Sequence, residues 1–578
     1  MSGAPTIPST GGGMPPTPND ALDEALSTLR ARSHAWCATD VQARIDLLTE
    51  LLGTTLDEAP RWVATAAADK GLRRDSRLMA DEWILGPTLV LRNLALLRST
   101  LEDIATTGRP QPPRVRTAAD GQVHVDVLPT GVQDRLLFPG FSAETRLDRS
   151  VSEEAALASM GRIYREWHEK HPGVALVLGA GNITSIAPMD ALYQLFALDR
   201  VVLLKLNPVS DRVGGHIAAA FQPLIDAGFL RLAYGGAQVG RYLTDHHEVD
   251  AVHVTGSSKT YEAIVFGTGE EGAERKREDR PRITKPVTAE LGNITPVIVV
   301  PGPWSDADLA FHGDNIASML VTNGGFNCVA AQVIVQHRAW AKRRALLDAV
   351  RSSLRRAEQR EPFYPGARER WERFARTHRQ AEWFGPDDDA KVPFTLIPEV
   401  DPTAADGPLF TEEAFSGVMG EVGLDAPRSV AEFIDASVDF CNERLAGTLG
   451  ATILIHPRSL EAPEVADAFE RALDGLRYGT VVVNHWLGTG FGFAAPPWAA
   501  YPGSEPTNIQ SGRGTVHNTY LLEDVEKTVV RGPFRTATTP VWFHTHRTAH
   551  HLVPRLARYF ATWDPRLLPG LLAAKLRG

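Results

Sequence analysis

Glu290 and Cys328 stand 38 residues apart and are the two side chains best suited to chemistry in this chain. A cysteine thiolate is a strong nucleophile. A glutamate beside an apolar run is costly to bury in its charged form, so its pKa rises and it can serve as a base for water. Cys328 follows Asn323-Gly324-Gly325-Phe326-Asn327 and precedes Val333-Ile334-Val335. Asn and Gly tolerate left-handed backbone and end helices, whereas a β-branched run suits a buried strand. Upstream, Ser305 with Asp308 three residues on is a helix start, and Leu309, Ile316, Met319 and Leu320 carry the helical spacing to Val321. Cys328 is therefore expected on a turn between a helix and a strand, where a rigid scaffold presents reactive groups. Apart from that setting, an inert buried cysteine and a surface glutamate are the ordinary readings.

Two further loops have the form of anion cradles. Gly179-Ala180-Gly181-Asn182-Ile183-Thr184 starts like a dinucleotide fingerprint, but Thr184 replaces its third glycine. Val254-Thr255-Gly256-Ser257-Ser258 ends a strand and opens a helix, whose free N–H groups suit a pyrophosphate. A plain strand-to-helix turn is the alternative for each. Cys37 and Cys441 lie in helical stretches and read as structural. The pairs His246-His247 and His550-His551 lack the spacing of a metal site, so no metal is expected. Trp486, Phe491, Phe493 and Trp498 read either as the mouth of a substrate pocket or as core.

The elements that must position these groups follow from periodicity. From Asp20 to about Thr106 the pattern is helical. Val123–Leu128 alternates like a strand, with Arg135–Pro139 as its expected hairpin partner. From Ser152 onward, apolar strands at Val174–Leu178, Val201–Leu204 and Ala251–Val254 alternate with helices, the mark of a doubly wound parallel sheet. Residues 270–281 are highly charged and read as a solvated loop. A second α/β unit follows, with strands at Val297–Val300, Ala451–Ile455 and Val481–Val483; residues 485–515 read as irregular. Residues 1–19 are rich in Gly, Pro, Ser and Thr and read as a disordered tail.

Three cysteines in 578 residues cannot form a disulfide framework, which suits a reducing cytoplasm. A net charge of −10 gives no electrostatic case for nucleic acid. No apolar run is long enough for a membrane span, and the first residues do not have the form of a secretory signal. Residues 546–578 carry six Lys and Arg against one acid, Asp564. Leu552, Leu556, Tyr559 and Phe560 fall on one helical face. That face is expected to pack on the enzyme or a second subunit; the alternative is an anionic membrane surface.

Taken in order over residues 25–535, these motifs resemble the aldehyde dehydrogenase superfamily. Gly181-Asn182-Ile183 resembles the segment that supplies the family's oxyanion-hole asparagine. Leu204-Lys205-Leu206-Asn207-Pro208 resembles the lysine segment on the adenosine ribose, with Pro208 where many members carry glutamate. Thr255-Gly256-Ser257 resembles the pyrophosphate turn, and Glu290-Leu291-Gly292 the general-base motif. Asn323–Cys328 resembles the nucleophile loop, with an unusual bulky Phe326. Glu412-Glu413-Ala414-Phe415 resembles the cofactor clamp.

The resemblance implies Cys328, Glu290 and Asn182 as catalytic residues, and Lys205, Gly256, Ser257, Leu291, Glu413 and Phe415 as residues binding NAD or NADP. It implies an α/β fold of two doubly wound domains with a small β-rich oligomerisation arm. Residues 20–120 and 150–288 would form the cofactor-binding domain, 289–490 the catalytic domain, and 121–149 with 505–535 the arm of a homodimer or homotetramer. Residues 546–578 are an extension beyond the resemblance. The activity implied is oxidation of a small-molecule aldehyde to an acid through a thioester. A CoA-acylating aldehyde dehydrogenase, equivalently an acyl-CoA reductase, and a non-catalytic scaffold on the same fold are the alternatives.

Overall fold

Parallel strands are covered by crossover helices on both faces, so they can be apolar throughout. In the computed structural model, which describes residues 13–166, 172–388, 390–404, 407–425 and 429–578, the apolar runs assemble into two such sheets. The first has six strands in the order Gly512–Arg513, Val287–Glu290, Ala251–Thr255, Val174–Leu178, Val201–Lys205, Leu230–Ala233. All its neighbours pair in parallel except the short Gly512–Arg513 strand. Leu178 stands opposite Lys205 and Thr255 opposite Glu290. Parallel strands end along one edge, so the loops after Leu178, Lys205, Thr255 and Glu290 share one crevice.

The second sheet has eleven strands. Its parallel centre runs through Thr480–Val483, Gly450–Leu454, Thr295–Val299, Ala331–His337, Val418–Leu424 and Phe394–Val400. At one end Val525–Arg531 pairs in parallel with Thr480–Val483 and antiparallel with Ser142–Leu147, which continues into Val123–Leu128 and Arg114–Thr117. The architecture is α/β with two parallel-sheet units, as expected.

Several local expectations are corrected. The partner of Val123–Leu128 is Ser142–Leu147, and Val132–Leu137 is a short helix. Its Asp134 is buried, accepts from Thr130 N–H at 3.0 Å and pairs with Arg92 at 2.9 Å. This long-range ion pair has no trace in local periodicity. Gly269–Arg277 is a helix rather than a loop, with Glu270 and Glu271 in its first turn and three basic residues in its last, the charge order the helix dipole favours. Within 505–535, Thr515–His517 is a short strand. The Asn518 side chain then bonds Leu522 N–H at 3.0 Å and Leu522 C=O at 2.6 Å, which turns the chain. Of the tail expected over 1–19, residues 1–12 lie outside the described residues; the helix Asn19–Ala38 begins at its end.

The C-terminal extension forms a helix, Ala549–Thr562, that packs along the helix Pro87–Thr107. Leu552, Leu556, Tyr559 and Phe560 are buried, so the apolar face is spent on the body of the protein. A second helix, Leu568–Lys575, follows, and Lys575 Nζ donates to Leu137 C=O at 2.9 Å. No helix of the described residues is long and apolar enough to cross a membrane.

Candidate active site

The Cys328 turn is built as its residue types require. The helix Asp306–Val321 opens on a reciprocal Ser305–Asp308 capping box. After it, Asn323, Gly324 and Gly325 adopt φ of 55°, 69° and 82°, a left-handed run that side chains other than Gly and Asn rarely enter. A Cβ on Gly325 would fall 2.7 Å from Gly417 N, so the turn also seats against the neighbouring loop. Phe326 packs edge-on against Phe363 at 4.9 Å and lies beside Tyr364 and Phe415. Its bulk thus ties the turn to the Glu412–Phe415 segment.

Cys328 ends this turn at the amino end of the strand Ala331–His337, and Glu290 ends a strand of the six-stranded sheet. The two sheets meet there, and Cys328 Sγ lies 3.5 Å from Glu290 Oε1. Glu290 is 3% exposed, and its Oε2 has no hydrogen-bond partner. Burial pushes its carboxyl up to about 7, and the charge of Asp190 adds to the rise. Burial and the neighbouring carboxylates of Glu290 and Glu413 push the Cys328 thiol up. The thiol therefore keeps its proton at rest, and the carboxyl beside it titrates near neutrality, so its carboxylate form stands ready to take the thiol proton as substrate arrives.

Asn182 is buried and reaches the same turn. Its Nδ2 donates to Phe326 C=O at 3.0 Å, and its own backbone C=O accepts from Asn323 Nδ2 at 3.0 Å. The cavity beside Cys328 is lined by Asn327 but not by Asn182. Asn327 Oδ1 accepts from Val329 N–H at 3.2 Å, while its buried Nδ2 has no partner. Residue types alone gave Asn327 no role; the signal was an amide immediately before the cysteine.

A buried ion cluster backs the turn, and it too escaped the sequence reading. Lys70 Nζ pairs with Glu82 at 2.9 Å and donates to Asn323 Oδ1 at 2.9 Å and Asn182 C=O at 3.2 Å. Arg360 pairs with Asp81 at 2.7 Å, and Asp81 accepts from Asn323 N–H at 3.0 Å. Buried charges persist when paired and fully hydrogen-bonded, and here the same bonds fix Asn182 and Asn323. Asp190 was also missed. It sits in the apolar helix Ile186–Phe196, accepts from Thr255 Oγ1 at 2.9 Å, and leaves Oδ1 without a partner.

Lys205, Gly256 and Ser257 stand at the strand ends that open on the crevice. Lys205 closes its strand in a buried position, where burial lowers its amine to about 8 against the pull of Asp211. Gly256 has open space where a Cβ would stand, and its N–H donates to Glu290 C=O at 3.0 Å. Ser257 caps the helix Ser258–Val265. Glu413 presses on Gly292 so closely that a Cβ there would fall 2.2 Å from Oε2, and its buried Oε1 has no partner. Burial raises that carboxyl to about 8. Phe415 holds a left-handed φ of 40° and packs on Tyr364 at 4.9 Å. The Leu291 side chain is core, among Val254 and Tyr261. Lys205, Gly256 and Ser257 are absent from the lining of the cysteine cavity; Glu290 belongs to it.

Residues 147–367 match the model of the Aldehyde dehydrogenase family, a span that contains the Asn182, Lys205, Gly256, Glu290 and Cys328 motifs but not Glu413. An N-succinylglutamate 5-semialdehyde dehydrogenase of Paraburkholderia xenovorans is 25% identical over 188 residues, which are 32% of this chain and 35% of that protein. The aligned stretch thus spans about a third of that relative's length. Among solved structures, an NAD-dependent aldehyde dehydrogenase from Sinorhizobium meliloti superposes with a TM-score of 0.60 at 16% identity, covering 90% of this chain and 89% of that one. An NADP-dependent glyceraldehyde-3-phosphate dehydrogenase from Bacillus halodurans, complexed with NADP, gives 0.60 at 16% identity over 91% and 94%. The fold is thus that of solved aldehyde dehydrogenases over nearly the whole chain, and the segment that matches the family model runs through the cysteine turn.

Proposed function

We propose that the chain is an NAD(P)-dependent dehydrogenase that oxidises an aldehyde to a carboxylic acid through a thioester on Cys328. The observation that carries this reading is the 3.5 Å approach of Cys328 Sγ to Glu290 Oε1 at the polar end of an apolar cavity. The Glu290 carboxylate takes the thiol proton, and the thiolate adds to the aldehyde carbon. The oxygen that gains charge is met by the free Nδ2 of Asn327 and the Cys328 N–H, with Asn182 holding the turn and offering its second amide hydrogen. One such preorganised donor is worth about 10²–10³ in rate. A bound nicotinamide supplies the hydride acceptor. Loss of hydride from the carbon leaves a thioester on Cys328. Glu290, once it has lost its proton to solvent, takes one from water, and the resulting hydroxide displaces the thiolate and releases the acid.

The crevice residues fit a dinucleotide. Glu413 keeps an unpartnered buried oxygen, Gly256 leaves the helix start at Ser257 uncovered, and Lys205 supplies a cation at the strand end. We read Lys205, Gly256, Ser257, Leu291, Glu413 and Phe415 as the cofactor set, and residues 20–120 with 150–288 and 289–490 as the two domains that meet at it. A base beside Cys328 favours water over CoA as acyl acceptor. Incubation with an aldehyde and NAD or NADP is expected to give reduced cofactor and free acid. A product that forms only with CoA, as acyl-CoA, would move the protein to the acylating branch. No reduced cofactor with any aldehyde would end the dehydrogenase reading.

The antiparallel strands of 121–149 and 505–535 are read as a dimer or tetramer arm. The strand Arg114–Thr117, just outside those bounds, pairs with Val123–Leu128 and forms a largely exposed sheet edge, the kind of edge that second chains extend. Light scattering is expected to give a dimer or tetramer, and a monodisperse monomer would overturn the assignment. No disulfide joins Cys37, Cys328 or Cys441, which supports a reducing compartment such as the cytoplasm.

A further inference from the structure

The cavity at Cys328 has one polar end and an apolar remainder. Among the described residues its only titratable lining side chains are Cys328 and Glu290, and no Lys, Arg, His or Asp lines it. Arg92 stands behind the far wall. Its guanidinium lies 5.5 Å from the Phe138 ring and 4.9 Å from the Phe560 ring, and both rings line the cavity. Arg92 is 1% exposed and is spent on Asp134 at 2.9 Å and on Phe493 C=O at 2.9 Å. It offers no counter-charge to anything inside.

The far wall comes from the end of the chain. Val541 and Trp542, then Leu556 and Phe560 one turn apart on the helix Ala549–Thr562, line the cavity together with Leu89. All four lie beyond the matched segment 147–367. The volume, counted as space open to the centre of a water molecule, is about 80 Å³. One water takes roughly 10–15 Å³ on that measure, so the cavity seats a file of roughly five to eight heavy atoms.

We infer that residues 541–560 are a specificity wall and that the protein takes uncharged, apolar aldehydes with a tail of about five to seven carbons. This rests on the reading of Cys328 as the nucleophile. A tail bearing carboxylate or ammonium would be an unpaired charge among apolar side chains, which costs several kcal/mol. Each methylene buried along the wall contributes about 0.8 kcal/mol, or about fourfold.

The full chain is assayed with acetaldehyde, butanal, hexanal, octanal, succinic semialdehyde and betaine aldehyde. Across four methylenes, kcat/KM is expected to rise roughly 10²-fold from acetaldehyde to hexanal, and both charged aldehydes to fall at least tenfold below hexanal. Leu556→Phe shortens the cavity and is expected to lower the octanal-to-butanal ratio of kcat/KM about tenfold; Leu556→Ala is expected to raise it. Turnover of either charged aldehyde within tenfold of hexanal overturns the inference while leaving the dehydrogenase reading intact. So does an unmoved ratio in both folded variants. If no aldehyde turns over, binding decides. Trp486, Trp498 and Trp542 line the cavity, so 1-hexanol is expected to change tryptophan fluorescence saturably, with weaker binding in Leu556→Phe. Absence of a saturable change overturns the inference independently of catalysis.

Discussion

Replacing Cys328 with alanine is expected to remove aldehyde oxidation to at least about 10⁴ below the parent rate, the scale at which loss of a covalent nucleophile is felt in other enzymes. The fold is expected to survive. The turn is set by the left-handed Asn323, Gly324 and Gly325 and by the Lys70–Glu82–Arg360 cluster, none of which involves the thiol. Cofactor-dependent protection against heat is expected to persist in Cys328→Ala, because Lys205, Ser257 and Glu413 are untouched. A variant that turns over near the parent rate would show that the acyl group never rests on Cys328. Cys441 is a poor replacement, since burial alone pushes its thiol up and it lies in a separate core of the second sheet.

Glu290→Gln is expected to divide the reaction. Release of the acyl group is expected to slow by about 10²–10⁴, the usual worth of a positioned base. A burst of reduced cofactor, at most one per site and itself slowed by loss of the base for the thiol, then precedes a still slower steady state. In the parent, the steady-state rate is expected to rise with pH through about 7, because only the carboxylate accepts a proton. That rising limb is expected to vanish in Glu290→Gln; a parent profile already flat from pH 5 to 8 would exclude Glu290 as the base.

The same residue links stability to pH. Its folded pKa of about 7 lies above the ordinary 4.5, so between those values the folded form holds a proton that the unfolded chain has lost. Stability contributed by the neutral carboxyl is therefore present below 4.5 and is lost as pH rises toward 7, about 3 kcal/mol in all. Glu290→Gln is expected to gain stability relative to the parent at pH 8 and not at pH 4. Denaturant unfolding at the two pH values measures the difference, and equal effects at both would place the carboxyl in a solvated setting.

Local chemistry made part of this site legible in the sequence. Asn-Gly-Gly at 323–325 requires left-handed backbone wherever it ends a helix, so the turn before Cys328 could be read without its surroundings. The capping box at Ser305 and Asp308 is likewise a contact across three residues. Apolar runs at 174–178, 201–204 and 251–254 could only be buried strands or buried helices, and their alternation with helices decided for a parallel sheet. Where a segment's fate hung on a distant partner, the reading failed. Val132–Leu137 is helical with Asp134 bound to Arg92, 42 positions away, and to Thr130.

The sequence by itself therefore determined the two sheets, the turn that carries Cys328 and the kinds of group available for chemistry, because each rests on spacing within a few residues. Only the tertiary structure decided that Glu290 and Cys328 meet at 3.5 Å and that burial brings the carboxyl near neutrality. It alone left Asn327 Nδ2 free while engaging Asn182, and drew Lys70, Glu82 and Arg360 behind the turn. The amphipathic pattern of the last helix announced that it would pack. That its Leu556 and Phe560 close the cavity at Cys328 could not be read from that pattern. Distance, desolvation and enclosure arise between chain segments far apart in sequence, and local residue types carry no record of them.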